Sequence, residues 1–260
     1  MSRVFFIMLP LTMTSLAFLP GTAAADGGQN AYEAKTFTGV GGRTLPYRML
    51  KPEKIEPGKS YPLVLFLHGS GERGTDNCKQ LVHGAGAFAK SENRQKYPCF
   101  VVAPQCPAER RWVEVDWNLP SHVMPEKPSV PLQLALELVD KLAAELPVDK
   151  ARLYITGLSM GGFGTWDAIA RWPDRFAAAL PICGGGDTAQ APKLKTLPIW
   201  AFHGGADHTV ATRRTTAMIE AIRRCGGKAK MTIYPGVEHD SWSRTYADPA
   251  VLDWFFAQKK

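Results

Sequence analysis

The sequence has no internal repeat and no low-complexity tract, which excludes a solenoid, a repeat array or a linker-like chain. Cysteine is sparse: Cys78, Cys99, Cys106, Cys183 and Cys225 are the only five. Their spacing matches no zinc-ligand pattern, no metal site is expected, and an odd number leaves at least one thiol unpaired within a monomer. After the first 25 residues no apolar run is long enough to span a bilayer. Long runs of one charge are also missing. The formal charge is +7, but the positive residues are scattered, with small clusters only at Arg110-Arg111, Arg213-Arg214 and Arg223-Arg224. Such clusters read as solvated surface, so no nucleic-acid partner is expected.

What is present begins with a leader. Arg3 is followed by an apolar stretch over residues 4–20 and then by Gly21-Thr22-Ala23-Ala24-Ala25, whose small residues suit signal peptidase. Pro10, Pro20 and two threonines argue against the alternative, a retained membrane anchor. Residues 1–25 are therefore expected to be a signal peptide and residues 26–260 a single catalytic domain, secreted or periplasmic. The 45% apolar content of the full sequence supplies one large core.

Strand-like and helix-like segments alternate along that domain. Two strands are expected at residues 32–38 and 44–49. Apolar or alternating runs follow at 62–67, 100–103, 151–156, 176–182, 198–203 and 230–234. Pro131 opens a helix in which Leu132, Ala135, Leu136, Val139, Leu142, Ala143 and Leu146 recur at helical spacing, and Pro147 ends it. This alternation predicts an α/β fold, a mostly parallel central sheet flanked by helices on both faces. Residues 104–130 fit no regular element. Their prolines, mixed charges, Trp112 and Trp117 suggest an excursion over the sheet edge.

The most informative motif is Gly157-Leu158-Ser159-Met160-Gly161, placed between the run 151–156 and a helix-like segment. A sharp strand-to-helix turn needs glycines at those positions and pushes the serine hydroxyl into the open. Later loops offer Asp207, after the run 198–203, and His239, after the run 230–234. In a parallel sheet such loops share one edge, so three distant residues can meet. The glycine-rich stretch His68-Gly69-Ser70-Gly71-Glu72-Arg73-Gly74 follows another buried run and reaches the same edge. His68, His83, His122, His203 and His208 compete with His239, but His239 follows the last strand; His68 and His203 are expected to be structural. Asp187 is the main rival of Asp207, with Asp174 and Asp240 behind it. Glu72 and Arg73 are either substrate contacts or an ion pair within their loop.

These four ordered motifs resemble those of α/β-hydrolases, and within them the single-domain phospholipase/carboxylesterase (predicted peptidase) group, near feruloyl esterases and polyhydroxybutyrate depolymerases. The likeness runs from about Tyr61 to His239; it is specific for fold and triad and weak on substrate. It implies an exported serine carboxylesterase in which Ser159 attacks, His239 moves the proton, Asp207 orients His239, and the N–H groups of Met160 and Ser70 hold the oxyanion. No metal or organic cofactor is implied, and the substrate is a small-molecule or polymer-linked ester. Trp112, Trp117 and Trp242 are candidates for lining a cleft that favours a flat ester, with ordinary packing as the alternative for each. Cys78 with Cys99 or Cys106 is the disulfide to examine first, since these flank the loop at 68–74 and the next strand. Two other functions stay in play: a peptidase resembling the prolyl oligopeptidase catalytic domain, and a non-catalytic binding module. The first is disfavoured because the chain has no room for a gating domain, the second because all three triad residues are present.

Arg3 is the only charged residue before Asp26, so removal of the leader lowers the formal charge from +7 to +6. Mass spectrometry of exported protein is expected to find Asp26 at the N-terminus. Intact protein starting at Met1 in the soluble cytosol would contradict the leader.

Overall fold

The computed structural model describes residues 29–260 together with Met1. The expected leader and its cleavage point after Ala25 lie outside the described residues. Eight strands follow one another as β1 (Glu33–Thr38), β2 (Thr44–Leu50), β3 (Tyr61–Leu67), β4 (Phe100–Pro104), β5 (Val148–Leu158), β6 (Ala178–Ile182), β7 (Trp200–Gly204) and β8 (Lys230–Tyr234). They form one sheet in the order β1-β2-β4-β3-β5-β6-β7-β8. Only β1 and β2 run antiparallel to their neighbours; the six from β4 to β8 are parallel.

Period-two alternation along the strands feeds two cores. Leu63, Leu65 and Leu67 of β3 face one side with Phe100, Val102, Leu153 and Ile155. Val64 and Phe66 face the other with Val101, Ala103 and Tyr154. The strands β3, β4 and β6 are buried along their whole length because helices cover both faces of the sheet there, as parallel sheets require. The helices are α1 (Gly86–Ala89), α2 (Ser91–Lys96), α3 (Val130–Glu145), α4 (Met160–Arg171), α5 (Arg213–Arg224), α6 (Trp242–Ala247) and α7 (Pro249–Phe256). Residues of α3, α4 and α5 close the first core, and those of α1, α6 and α7 the second. Helix α3 starts where the sequence indicates: Ser129 Oγ accepts from Leu132 N–H and Pro131 sits in the first turn.

The strand order reverses at β3. The chain leaves β3 for β4 on one side and reaches β5 on the other, so the loops after β3 and β5 part at their carboxyl ends and leave a crevice between them. Residues 105–129 cross this edge without regular structure. They are nevertheless anchored. Trp112 Nε1 donates to His68 O at 3.0 Å, Ser129 Oγ to Trp112 O at 2.7 Å, and Arg171 Nη1 to Glu126 O at 3.1 Å.

The expected disulfide does not form: all five cysteines are free. Cys78 is exposed, whereas both of its candidate partners, Cys99 and Cys106, are buried in the cores. Burial pushes both buried thiols up to about 12, which keeps them neutral. Among the described residues no helix is long and apolar enough to cross a membrane.

Helix α4 packs backbone against backbone on the end of β3. A Cβ on Gly161 would lie 1.9 Å from the Leu67 carbonyl oxygen, a contact that backbone cannot yield to. Gly161→Ala is expected to cost about 3 kcal/mol or more in urea unfolding. Gly86→Ala, where a Cβ meets nothing within 4 Å, should stay within about 0.5 kcal/mol of the parent. Equal costs would show that this packing does not set the elbow.

Candidate active site

Strand β5 ends at Leu158 and α4 begins at Met160, leaving Ser159 alone in the turn. Its φ of 53° and ψ of −117° lie where a residue with a Cβ is strained, by roughly 1–3 kcal/mol. Two bonds hold it there. Ser159 N–H donates to Ile182 O at 3.0 Å and meets Cys183 Sγ at 3.3 Å. The side chain of Ser159 is thereby carried away from both strand and helix.

The structure brings Ser159, His239 and Asp207 together across 80 and 32 residues of chain. His239 Nε2 lies 2.9 Å from Ser159 Oγ, and Nδ1 lies 2.8 Å from Asp207 Oδ2. Asp207 is 7% exposed, and its Oδ1 accepts from Thr209 and Val210 N–H, each at 2.9 Å. Burial alone would raise this carboxyl. Hydrogen bonds from His203, His239 and Val210 N–H overcome it and hold the group well below the usual carboxylate range, so it is ionised at neutral pH. Asp187 is elsewhere: it caps the 3-10 segment Thr188–Leu194 and accepts from Ala189 and Met124 N–H, both at 3.0 Å. Asp240 is occupied by Ser243.

His203 adds a contact that reading by strand ends missed. The ring is fully buried, with Nε2 3.1 Å from Asp207 Oδ2 and 2.9 Å from Val210 O. Both neighbours are acceptors, so this nitrogen carries a proton. Nδ1 meets Thr215 Oγ1 at 2.8 Å, and that hydroxyl donates to Gly184 O at 2.9 Å. Asp207 is thus held between two imidazoles, one buried and one facing Ser159. The signal available in the sequence was the spacing of His203 and Asp207, four residues apart on either side of the end of β7.

On the opposite side lies the loop after β3. A Cβ built on Gly69 would come within 3.6 Å of Ser159 Cβ, which brings this loop beside the turn. Ser70 opens a 3-10 turn, Ser70–Glu72, and Met160 opens α4. First-turn N–H groups have no partner within their own helix, so both are available as donors. Behind them, His68 Nδ1 donates to Gly69 O at 2.6 Å and Nε2 accepts from Cys106 N–H at 2.9 Å. Burial lowers this histidine to about 4, so it stays neutral. The ion pair between Glu72 and Arg73 does not form, because Arg73 turns to Ser70 O at 2.9 Å.

The three tryptophans separate. Trp112 is fully buried, its indole N–H spent on His68 O, so it supports the loop after β3 and presents no face to a ligand. That corrects the expectation that it lines a cleft: an indole flanked by sheet and helix residues buries more area than one at a rim. Trp117 stacks on the Arg111 guanidinium, 4.2 Å from its centroid, and leans on the cluster of Val113, Phe163 and Val210. Trp242 stands edge-on to His239 at 5.3 Å and is the one of the three in contact with the triad cluster.

Ligand-type atoms of Cys183, Asp207 and His239 fall within 4.8 Å of one another. The donor chemistry suits a proton relay better than a metal: burial raises the Cys183 thiol and keeps it neutral, and the other two groups are spent on each other and on Ser159.

Comparison with known proteins places this geometry in context. The profile of the dienelactone hydrolase family matches residues 124–250. A poly(3-hydroxyalkanoate) depolymerase C of Paucimonas lemoignei is 26% identical over 251 residues, 84% of this chain and 58% of its own length. The crystal structure of a thermostable esterase superposes with a TM-score of 0.83 at 39% identity, over 89% of this chain and 64% of that one. An acylaminoacyl peptidase of Pyrococcus horikoshii shares the fold, with a TM-score of 0.62 at 18% identity, over 82% of this chain and 39% of that one. The chain therefore spans about 60% of the depolymerase and of the esterase.

The double imidazole contact on Asp207 can be read by kinetics. His203→Asn keeps an amide on the Nδ1 side and removes the Nε2 donor, so Asp207 loses one of the bonds that hold it toward His239. On a short-chain p-nitrophenyl ester kcat/KM is expected to fall by about threefold to tenfold, the worth of roughly one hydrogen bond. His203→Gln, which keeps a donor near the Nε2 position, should lose less. Equal rates in all three proteins would show that His203 only fills space.

Proposed function

We propose that this chain, an α/β-hydrolase by fold, hydrolyses carboxylic esters through Ser159, His239 and Asp207. The observation that carries the reading is the continuous run of hydrogen bonds from Asp207 through His239 to Ser159, ending on a serine in a strained turn. A serine hydroxyl is a poor nucleophile at neutral pH. His239 Nε2 takes its proton as Oγ attacks the ester carbonyl, and ionised Asp207 stabilises the imidazolium that forms. The oxyanion of the tetrahedral intermediate then needs donors on the side away from His239. The N–H groups of Met160 and Ser70 fit that role, because each opens a helical turn next to Ser159.

Collapse of the intermediate returns the proton from His239 to the departing alcohol and leaves an acyl-enzyme on Ser159. A water molecule, deprotonated by the same histidine, releases the acid. The relatives named esterase and depolymerase support an ester over an amide substrate. Export through the leader at residues 1–25 belongs to the same proposal and rests on the sequence alone.

Ser159→Ala is expected to lower kcat on a short-chain p-nitrophenyl ester by roughly five to six orders of magnitude without loss of fold. Fluorophosphonate should label the parent and not the variant. Faster cleavage of a peptidyl anilide than of the ester would instead favour the peptidase reading. Labelling of neither protein would favour a non-catalytic module.

A further inference from the structure

Arg214, in the first turn of α5, is 3% exposed and has no carboxylate within 4.0 Å among the described residues. Its Nε is sealed from solvent without a partner. The guanidinium lies against Gly185, where a Cβ would stand 2.8 Å from Nε, and its Cζ is 5.2 Å from the Phe163 ring centroid. Among the described residues its one side-chain hydrogen bond runs from Nη2 to His122 Nδ1. Burial, then the positive charge of Arg214, lowers His122 to about 4, so the imidazole is neutral and its proton sits on Nε2. The charged neighbours do not cancel the arginine. Arg213 adds a second positive charge, and the negative charge of Asp187 falls on His122 and not on Arg214.

Phe163 connects this arrangement to the turn that carries Ser159. Phe163 begins the second turn of α4, its N–H bonded to Ser159 O at 3.1 Å, and its ring also meets His122 at 5.8 Å. Val210, packed on Phe163, donates its N–H to Asp207. A buried guanidinium without a counter-charge is unfavourable unless something negative joins it. Planar, forked N–H groups fit a carboxylate.

We infer that Arg214 and His122 form a carboxylate-binding subsite of the active site, and that the preferred esters carry a carboxylate on their acyl or alcohol portion. The inference rests on Ser159 being the nucleophile and deepens that reading. Phe163 and Gly185 both pack against Arg214, and His122 is the partly exposed neighbour from whose side a ligand approaches.

The test compares each anionic ester with a neutral ester of the same shape at low ionic strength. Mono-p-nitrophenyl glutarate is paired with the p-nitrophenyl ester of a branched acid, and p-carboxyphenyl acetate with p-isopropylphenyl acetate. In the parent, kcat/KM is expected to favour the anionic member of at least one pair by about tenfold or more. Arg214→Met should lower that ratio by about tenfold, and Arg214→Lys by less. A parent ratio of one or below in both pairs, or a ratio unchanged in Arg214→Met, would overturn the subsite.

Should Arg214→Met fail to fold, competitive inhibition of the parent decides. Glutarate should inhibit neutral-ester hydrolysis at concentrations where the diol of equal length does not; equal inhibition, or none by glutarate, counts against the subsite. If the parent cleaves no ester of either kind, the esterase reading fails by itself. The subsite is then judged by whether glutarate, and not the diol, raises the melting temperature of the Ser159→Ala protein.

Discussion

A serine forced into the left-handed region of backbone space is the constraint around which the molecule is arranged. At φ 53° and ψ −117°, Ser159 would relax if the turn were free to move. Three elements prevent this. The end of β3 lies against the α4 backbone at Gly161, Ile182 O at the end of β6 holds the Ser159 N–H, and Gly184 packs on Gly162. Such strain persists only when the surroundings over-determine it, and here both strands flanking β5 contribute. The result is a hydroxyl projected at the point where the parallel sheet reverses its strand order.

Asp207 and His239 reach that point for a topological reason. Loops after parallel strands emerge at one edge, so β5, β7 and β8 deliver Ser159, Asp207 and His239 to the same crevice. Precise placement is then local. Asp207 is turned by its own loop, with the N–H groups of Thr209 and Val210 on one oxygen and the two histidines on the other. A carboxylate held by that many donors stays charged while buried, which an orienting group for imidazolium requires.

Much of this was legible in the residues. The strands announced themselves by apolar runs cut by proline and glycine, and β8 was read at Lys230–Tyr234, as observed. The order of Ser159, Asp207 and His239 was visible because each follows a strand. Side-chain facing in irregular segments was not. Trp112 and Trp117 lie in the same excursion, and nothing in its composition says that the first turns inward to His68 while the second stacks on Arg111. The pairing of Cys78 with Cys99 or Cys106 failed for a related reason, since Cys78 turns outward while both candidate partners turn into the cores. Arg214 was readable in principle: it precedes Met218 by four residues and Ile222 by eight, which puts it on the buried face of α5. Its neighbour Arg213 made the pair resemble ordinary solvated charge.

The charges around the crevice are therefore of two kinds. Asp207 is compensated by donors on all sides, so its field is directed into His239. Arg214 has no carboxylate partner among the described residues, and the group it contacts is a histidine that burial and the arginine's own charge keep neutral. Were His122 protonated, the pair would present two positive charges and repel itself. Held neutral, it adds a donor without adding charge, so the pair offers one net positive charge and several N–H groups. That combination matches a singly charged, planar anion. A doubly charged group such as a phosphate monoester would leave one negative charge unpaired beside a buried guanidinium, where an unpaired charge is most unfavourable.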